Sequence, residues 1–283
     1  MSRSPARVVA LRTVFRTVGG VAPELAARWA ETLFCTPPRH EPRSGDEAFL
    51  ATGRRSTAQW EGHDLALWEW GPERQPAVVL VHGWGSRAGR FSAMGRRLLE
   101  AGRRVVAYDA PAHGRSTGRL ASLVEFARAL RAVADRVGPV ESLVGHSLGG
   151  AAIVLALRDG LAAERVVLLA APADVSRFST AFADHLRIPE RARQAMRRNL
   201  ERRLDARWDD LHLPAIVTRL RTPALVIHDR GDADVPYRHA EEIVAAWPGA
   251  RLLATDGLGH RAVLRDPAVV ASTVGFLAEA PAR

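Results

Sequence analysis

The chain has 283 residues, long for one domain and short for two, which fits a single α/β domain carrying an inserted segment. An apolar fraction of 47% excludes a disordered chain, and a single cysteine, Cys35, excludes an internal disulfide framework and reads as a buried thiol. The net charge of +9 comes from 40 basic residues that are all arginine; they are spread along the chain with few aromatics between them, so no nucleic-acid face is expected.

In chain order, Val8, Leu11, Phe15 and Val18 fall at helical spacing and predict an amphipathic helix. That helix is expected to dock on its own domain, with contact to a membrane or a partner as the alternative. Arg12 and Arg16 interrupt any signal-peptide core over residues 2–20, and no run is long enough to span a bilayer, so the expected location is cytoplasmic. Residues 36–45 read as a loop, making 1–45 an N-terminal helical segment and loop.

Over 56–70 the alternation of Trp60, Leu65, Leu67, Trp68 and Trp70 predicts an antiparallel hairpin at a sheet edge. Continuous apolar runs then follow at 77–81, 104–108, 142–144, 165–170 and 224–227, with a weaker one at 251–254. Such runs mark strands buried on both faces. Helical stretches at 88–101, 121–137, 151–159 and 237–247 separate most of them, which predicts an α/β fold: a mostly parallel central sheet with helices on both faces. The core is expected over 46–172 and 223–283. Residues 173–222 carry no strand signal; Met196, Leu200, Leu204 and Trp208 repeat at i+4, predicting a helical lid inserted after the sixth strand. Its apolar stripe reads as packing, with part of it free to line a substrate pocket.

The run Gly145-His146-Ser147-Leu148-Gly149-Gly150 joins the strand ending near Val144 to the helix starting near Ala151. A serine between glycines at a strand-to-helix turn is exposed by the tightness of the turn, with a helix N-terminus behind it. A serine hydroxyl is a poor nucleophile without an adjacent base, and the base needs an orienting acid. Both are available after later strands: Asp229, Asp232 and Asp234 lie within 227–236, and His260 closes Gly257-Leu258-Gly259-His260. Cys35 has no base near it in sequence. His228, Asp229 and His239 lack the spacing of a metal-ligand set, and no dinucleotide or Walker motif occurs. No metal and no cofactor are expected.

His82-Gly83-Trp84-Gly85 after the first parallel strand, Asp109 to Ser116 after the next, the serine turn, Asp232 to Pro236 and Gly259-His260 together resemble the α/β-hydrolase fold family across about residues 56–280. The resemblance implies that Ser147 is the nucleophile and His260 the base. It selects Asp232 as the acid, four residues before Pro236, and makes Asp174 the alternative acid position of some members. It assigns the oxyanion hole to the backbone N–H groups of Trp84 and Leu148. His82, Asp109 and His113 read as braces of their loops. The implied activity is hydrolysis of a carboxylic ester or thioester of a small to medium acyl substrate through an acyl-enzyme. Carbon–carbon hydrolase, peptidase and a non-catalytic ligand-binding relative are the alternatives. Serine at position 147 sets the chain apart from the haloalkane dehalogenases, which carry aspartate there.

Overall fold

Strands that are apolar on both faces need cover on both faces, and the computed structural model, which describes residues 5–279, is built around that need. The chain opens with helices α1 (Pro5–Val21), α2 (Pro23–Cys35) and α3 (Ser44–Leu50), then enters the sheet through β1 (Arg54–Trp60) and β2 (His63–Trp70). β3 (Ala77–Val81), α4 (Ser92–Glu100), β4 (Arg104–Tyr108), α5 (Leu123–Val137), β5 (Val140–His146), α6 (Leu148–Arg158) and β6 (Arg165–Leu169) alternate. The next interval is helical: α7 (Ser176–His185), α8 (Glu190–Leu204) and α9 (Leu213–Val217). The chain ends with β7 (Ala224–Asp229), α10 (Arg238–Ala246), β8 (Arg251–Thr255), α11 (Gly259–Ala262) and α12 (Pro267–Ala278).

The eight strands form one sheet in the order β1-β2-β4-β3-β5-β6-β7-β8. β1 and β2 are antiparallel at one edge, as the alternation of the Trp-rich segment predicts, and every pair from β4 to β8 is parallel. Successive side chains of a strand point to opposite faces, and the core divides accordingly. Ala77, Val79 and Val81 join Phe126, Leu130, Ile153 and Ile243 on one face, while Val78 and Leu80 join Phe49, Met94, Leu98 and Phe276 on the other. Helices therefore cover both faces. The two edge strands, β1 and β8, are left partly exposed.

Helix boundaries follow local chemistry. α5 starts at Leu123 because the Ser122 side chain accepts the Glu125 N–H at 3.2 Å, a Ser-x-x-Glu cap. The helical run expected from residue 88 begins as a 3-10 turn, Ala88–Phe91, before α4. Trp208 does not continue the i+4 series of α8. Asp205 adopts the left-handed conformation at φ 45°, ending the helix, and Trp208 opens a separate 3-10 turn. The loop expected to 45 ends at Arg43, and α3 starts at Ser44. In α1, Phe15 is buried, and Leu11 and Val18 pack against the same core.

Candidate active site

In parallel strands all carboxyl ends share one edge of the sheet. Trp84 follows β3, Ser147 follows β5, Asp232 follows β7, and His260 lies beyond β8 in α11. β4 and β5 flank β3 on opposite sides, so the chain changes direction there, and a crevice opens at the carboxyl ends beside such a switch.

At the turn between β5 and α6, Ser147 sits at φ 53°, ψ −123°, in the half of backbone space that side chains avoid. The strain is held from both sides: Ser147 N–H donates to Leu169 O at 2.8 Å, and Ser147 O accepts from Gly150 N–H at 2.9 Å. The flanking glycines answer to close approach. A Cβ on Gly149 would lie 2.2 Å from Val81 O, and one on Gly145 would lie 2.7 Å from Gly150 N. Leu148 N–H opens α6, so it has no acceptor inside the helix. Neither it nor Trp84 N–H donates to another protein group among the described residues.

His260 Nδ1 lies 2.8 Å from Asp232 Oδ2. With the proton on Nδ1 the imidazole donates to the carboxylate and keeps an Nε2 lone pair for the crevice. Asp232 Oδ1 accepts the N–H groups of Asp234 (2.9 Å) and Val235 (2.8 Å), and His228 Nε2 lies 3.4 Å from Oδ2. Burial alone would raise the Asp232 pKa. Hydrogen bonds from His228, His260 and Val235 N–H outweigh it and hold the carboxyl well below its ordinary range. Ser147 Oγ forms no hydrogen bond to His260 or to any other described residue. Contacts of this kind are often loose before substrate arrives.

The loops around this pair are anchored by buried neutral acceptors. His82 Nδ1–H donates to Gly83 O and its Nε2 accepts Ala110 N–H at 2.9 Å; His113 Nδ1–H donates to Pro111 O and its Nε2 accepts Gly85 N–H at 2.9 Å. Burial lowers both pKa values, that of His113 to about 4. Asp109 accepts Ala88 N–H and Arg115 N–H, tying the loop after β4 to the loop after β3. Asp229 accepts Gly231 N–H, the Thr255 hydroxyl and Leu258 N–H, so it joins the turn carrying Asp232 to the loop carrying His260.

Of the other candidate acids, Asp234 is exposed and meets Arg261 at 3.5 Å. Asp174 accepts Ser176 N–H at 2.8 Å and meets Arg177 at 3.4 Å. The three residues weighed as metal ligands have separate duties: His228 Nε2 bonds Val235 O, His239 accepts Ala173 N–H, and Asp229 braces its turn. The Cys35 thiol is pushed up to about 12 by burial and sits against Arg203.

Sequence reasoning missed His146. Its Nε2–H donates to the His260 carbonyl at 2.7 Å, its ring lies 4.7 Å from that of His260, and burial pushes its pKa down to about 3. The residue before the serine thus holds the backbone of the histidine that the aspartate orients. Its place inside the Gly-x-Ser-x-Gly turn was the available signal. The partner, 114 residues away, was not visible from it.

The model of the alpha/beta hydrolase family matches residues 78–273. The chain belongs to that family. It is 37% identical to a monoacylglycerol lipase of Mycolicibacterium smegmatis over 29% of this chain and 32% of that protein. It is 35% identical to a bifunctional esterase/perhydrolase of Acinetobacter calcoaceticus over 32% and 34%. The chain thus spans about a third of the length of these curated relatives. An esterase from Exiguobacterium antarcticum superposes with a TM-score of 0.63 at 19% identity, over 80% of this hydrolase-family chain and all of that one, a likeness of fold.

Proposed function

We propose that this α/β-hydrolase chain is a serine carboxylic ester hydrolase with Ser147 as nucleophile, His260 as base and Asp232 as orienting acid. The observation that carries the reading is the 2.8 Å bond between His260 Nδ1 and Asp232 Oδ2, in a histidine whose carbonyl is held by His146, the residue before the strained serine. The esterase and lipase names of the relatives agree with it. In the reaction, Ser147 Oγ attacks the ester carbonyl carbon while its proton passes to His260 Nε2. The imidazolium that forms is stabilised by the Asp232 carboxylate. The oxygen of the tetrahedral intermediate accepts hydrogen bonds from Trp84 and Leu148 N–H, each contributing about 3 kcal/mol in the transition state. The intermediate collapses, the C–O bond breaks, and His260 returns the proton to the leaving alcohol. Water then attacks the acyl-enzyme by the same route in reverse, releasing the acid and restoring Ser147. The chemistry calls for no metal or cofactor.

The helices of 173–222 leave the sheet at the carboxyl end of β6, beside the serine turn, and in this reading they form the lid over the acyl pocket. A thioester would pass through the same acyl-enzyme. Hydrolysis of p-nitrophenyl esters from acetate to palmitate, wild type against Ser147→Ala, tests the proposal. Serine-dependent turnover with an optimum chain length is expected. Wild type that neither turns over any ester nor reacts with a fluorophosphonate at Ser147 would overturn it in favour of a ligand-binding relative.

A further inference from the structure

The exposed apolar side chains of the described molecule are concentrated on the first two helices. Val21 is 87% exposed, Leu25 62%, Val14 38% and Trp29 37%. Phe15 stacks on Trp29 at 4.9 Å, seven residues to either side of Ala22, so the two helices fold back on each other. α2 docks on the protein through Ala26, Ala27 and Ala30, and Leu25, Arg28 and Trp29 lie on the opposite side of the helix. Two surface depressions border Trp29 on this face, one lined also by Leu25 and Arg28 and the other by Arg7 and Val14.

The charges on the hairpin are sorted as well. Its two acidic residues are each paired with an arginine of α8: Glu24, itself exposed, with Arg198 and the covered Glu31 with Arg203. Arg7 and Arg28 have no carboxylate partner among the described residues. The outer face therefore carries apolar side chains, a tryptophan and arginines without a carboxylate partner among the described residues, while the one exposed acid of the hairpin, Glu24, is already paired with Arg198. A second copy applied through this face would set arginine against arginine. An anionic lipid surface complements both components, because apolar side chains enter the headgroup boundary while guanidinium groups meet phosphates. The whole hairpin lies outside the segment 78–273 that the family model matches.

We propose that the outer face of the α1–α2 hairpin docks the protein on anionic bilayers. The inference is independent of the catalytic assignment. Docking would place α2, and through Phe34 against Phe182 the inserted helix α7, at the lipid surface.

The test is co-sedimentation of the full chain with sucrose-loaded vesicles of phosphatidylcholine alone or with 30% phosphatidylserine. Binding to the anionic vesicles is expected, weakening as salt rises from 0.05 to 0.5 M. An arginine near such a surface is worth about fivefold in partition, so Arg7→Ala/Arg28→Ala should lower it by about 30-fold. Val21→Asp/Leu25→Asp, at positions exposed enough to leave folding intact, should abolish it, with unchanged thermal unfolding and ester turnover in solution. No sedimentation with anionic vesicles would overturn the proposal, as would equal binding of the variants or of neutral vesicles. A salt-stable dimer in sedimentation velocity that Val21→Asp/Leu25→Asp dissolves would overturn it in favour of a self-interface.

Discussion

Replacing Asp232 by asparagine keeps the side chain's shape and changes one oxygen to an amide nitrogen. Oδ1 already accepts two backbone N–H groups, from Asp234 and Val235. The asparagine keeps its carbonyl oxygen on that side, so its NH2 faces His260 Nδ1. That nitrogen must then accept a hydrogen bond. The proton moves to Nε2, and the lone pair that should receive the Ser147 proton is gone. Loss of the working tautomer in a Ser-His-Asp arrangement lowers kcat on the order of 10⁴-fold, about 5.4 kcal/mol at 1.36 kcal/mol per decade. Asp234→Asn touches only an exposed contact with Arg261 and should stay within about twofold of wild type. The assay is kcat for the best p-nitrophenyl ester, with circular dichroism to show that each variant folds. A kcat for Asp232→Asn within tenfold of wild type, or a larger loss in Asp234→Asn, would refute the assignment of the acid.

Ser147→Gly should be more stable than Ser147→Ala by about 1 kcal/mol in urea unfolding, since glycine adopts φ 53°, ψ −123° without strain; equal midpoints would mean the turn stores no strain. Gly149→Ala places a Cβ 2.2 Å from Val81 O, forcing α6 away from β3, and should cost about 3 kcal/mol or more, read as a lower denaturation midpoint. The pH dependence of unfolding follows from the buried histidines. Their folded pKa values are depressed, His113 to about 4 and His146 to about 3, so below about pH 6.5 the unfolded chain binds protons that the folded chain refuses. Stability is full above that pH and falls as pH drops toward 4, by about 3 kcal/mol for His113 alone. A thermal midpoint flat from pH 7 to 4 would contradict the neutral, buried assignment.

The sheet was legible because each parallel strand is an unbroken apolar run, a pattern that few other elements produce. The serine turn was legible because its geometry demands glycine at fixed positions. His260 and Asp232 could be placed at strand ends, but choosing Asp232 over Asp229 required the family pattern. Asp229 is chemically as able, and only its three bonds to Gly231, Thr255 and Leu258 show that it is occupied elsewhere. α3 escaped notice since seven residues are too few to display a helical period. The end of α8 was hidden because Asp205 turns left-handed where no glycine announces it. His146 and His228 were opaque for a different reason: each acts on a backbone or carboxylate brought near by the tertiary fold.

The groups that the proposed mechanism makes nucleophile and base are seated on different parts of the sheet. Ser147 rises from the centre, between β3 and β6, whereas His260 is carried past β8, an edge strand paired on one side only. Edge elements open at lower free energy than the strands they border. A brief fraying of β8 would withdraw the base and leave the nucleophile turn and its neighbours in place. Under the proposed assignment, catalytic competence thus depends on an edge strand of the sheet, and the molecule can be idle while almost entirely folded.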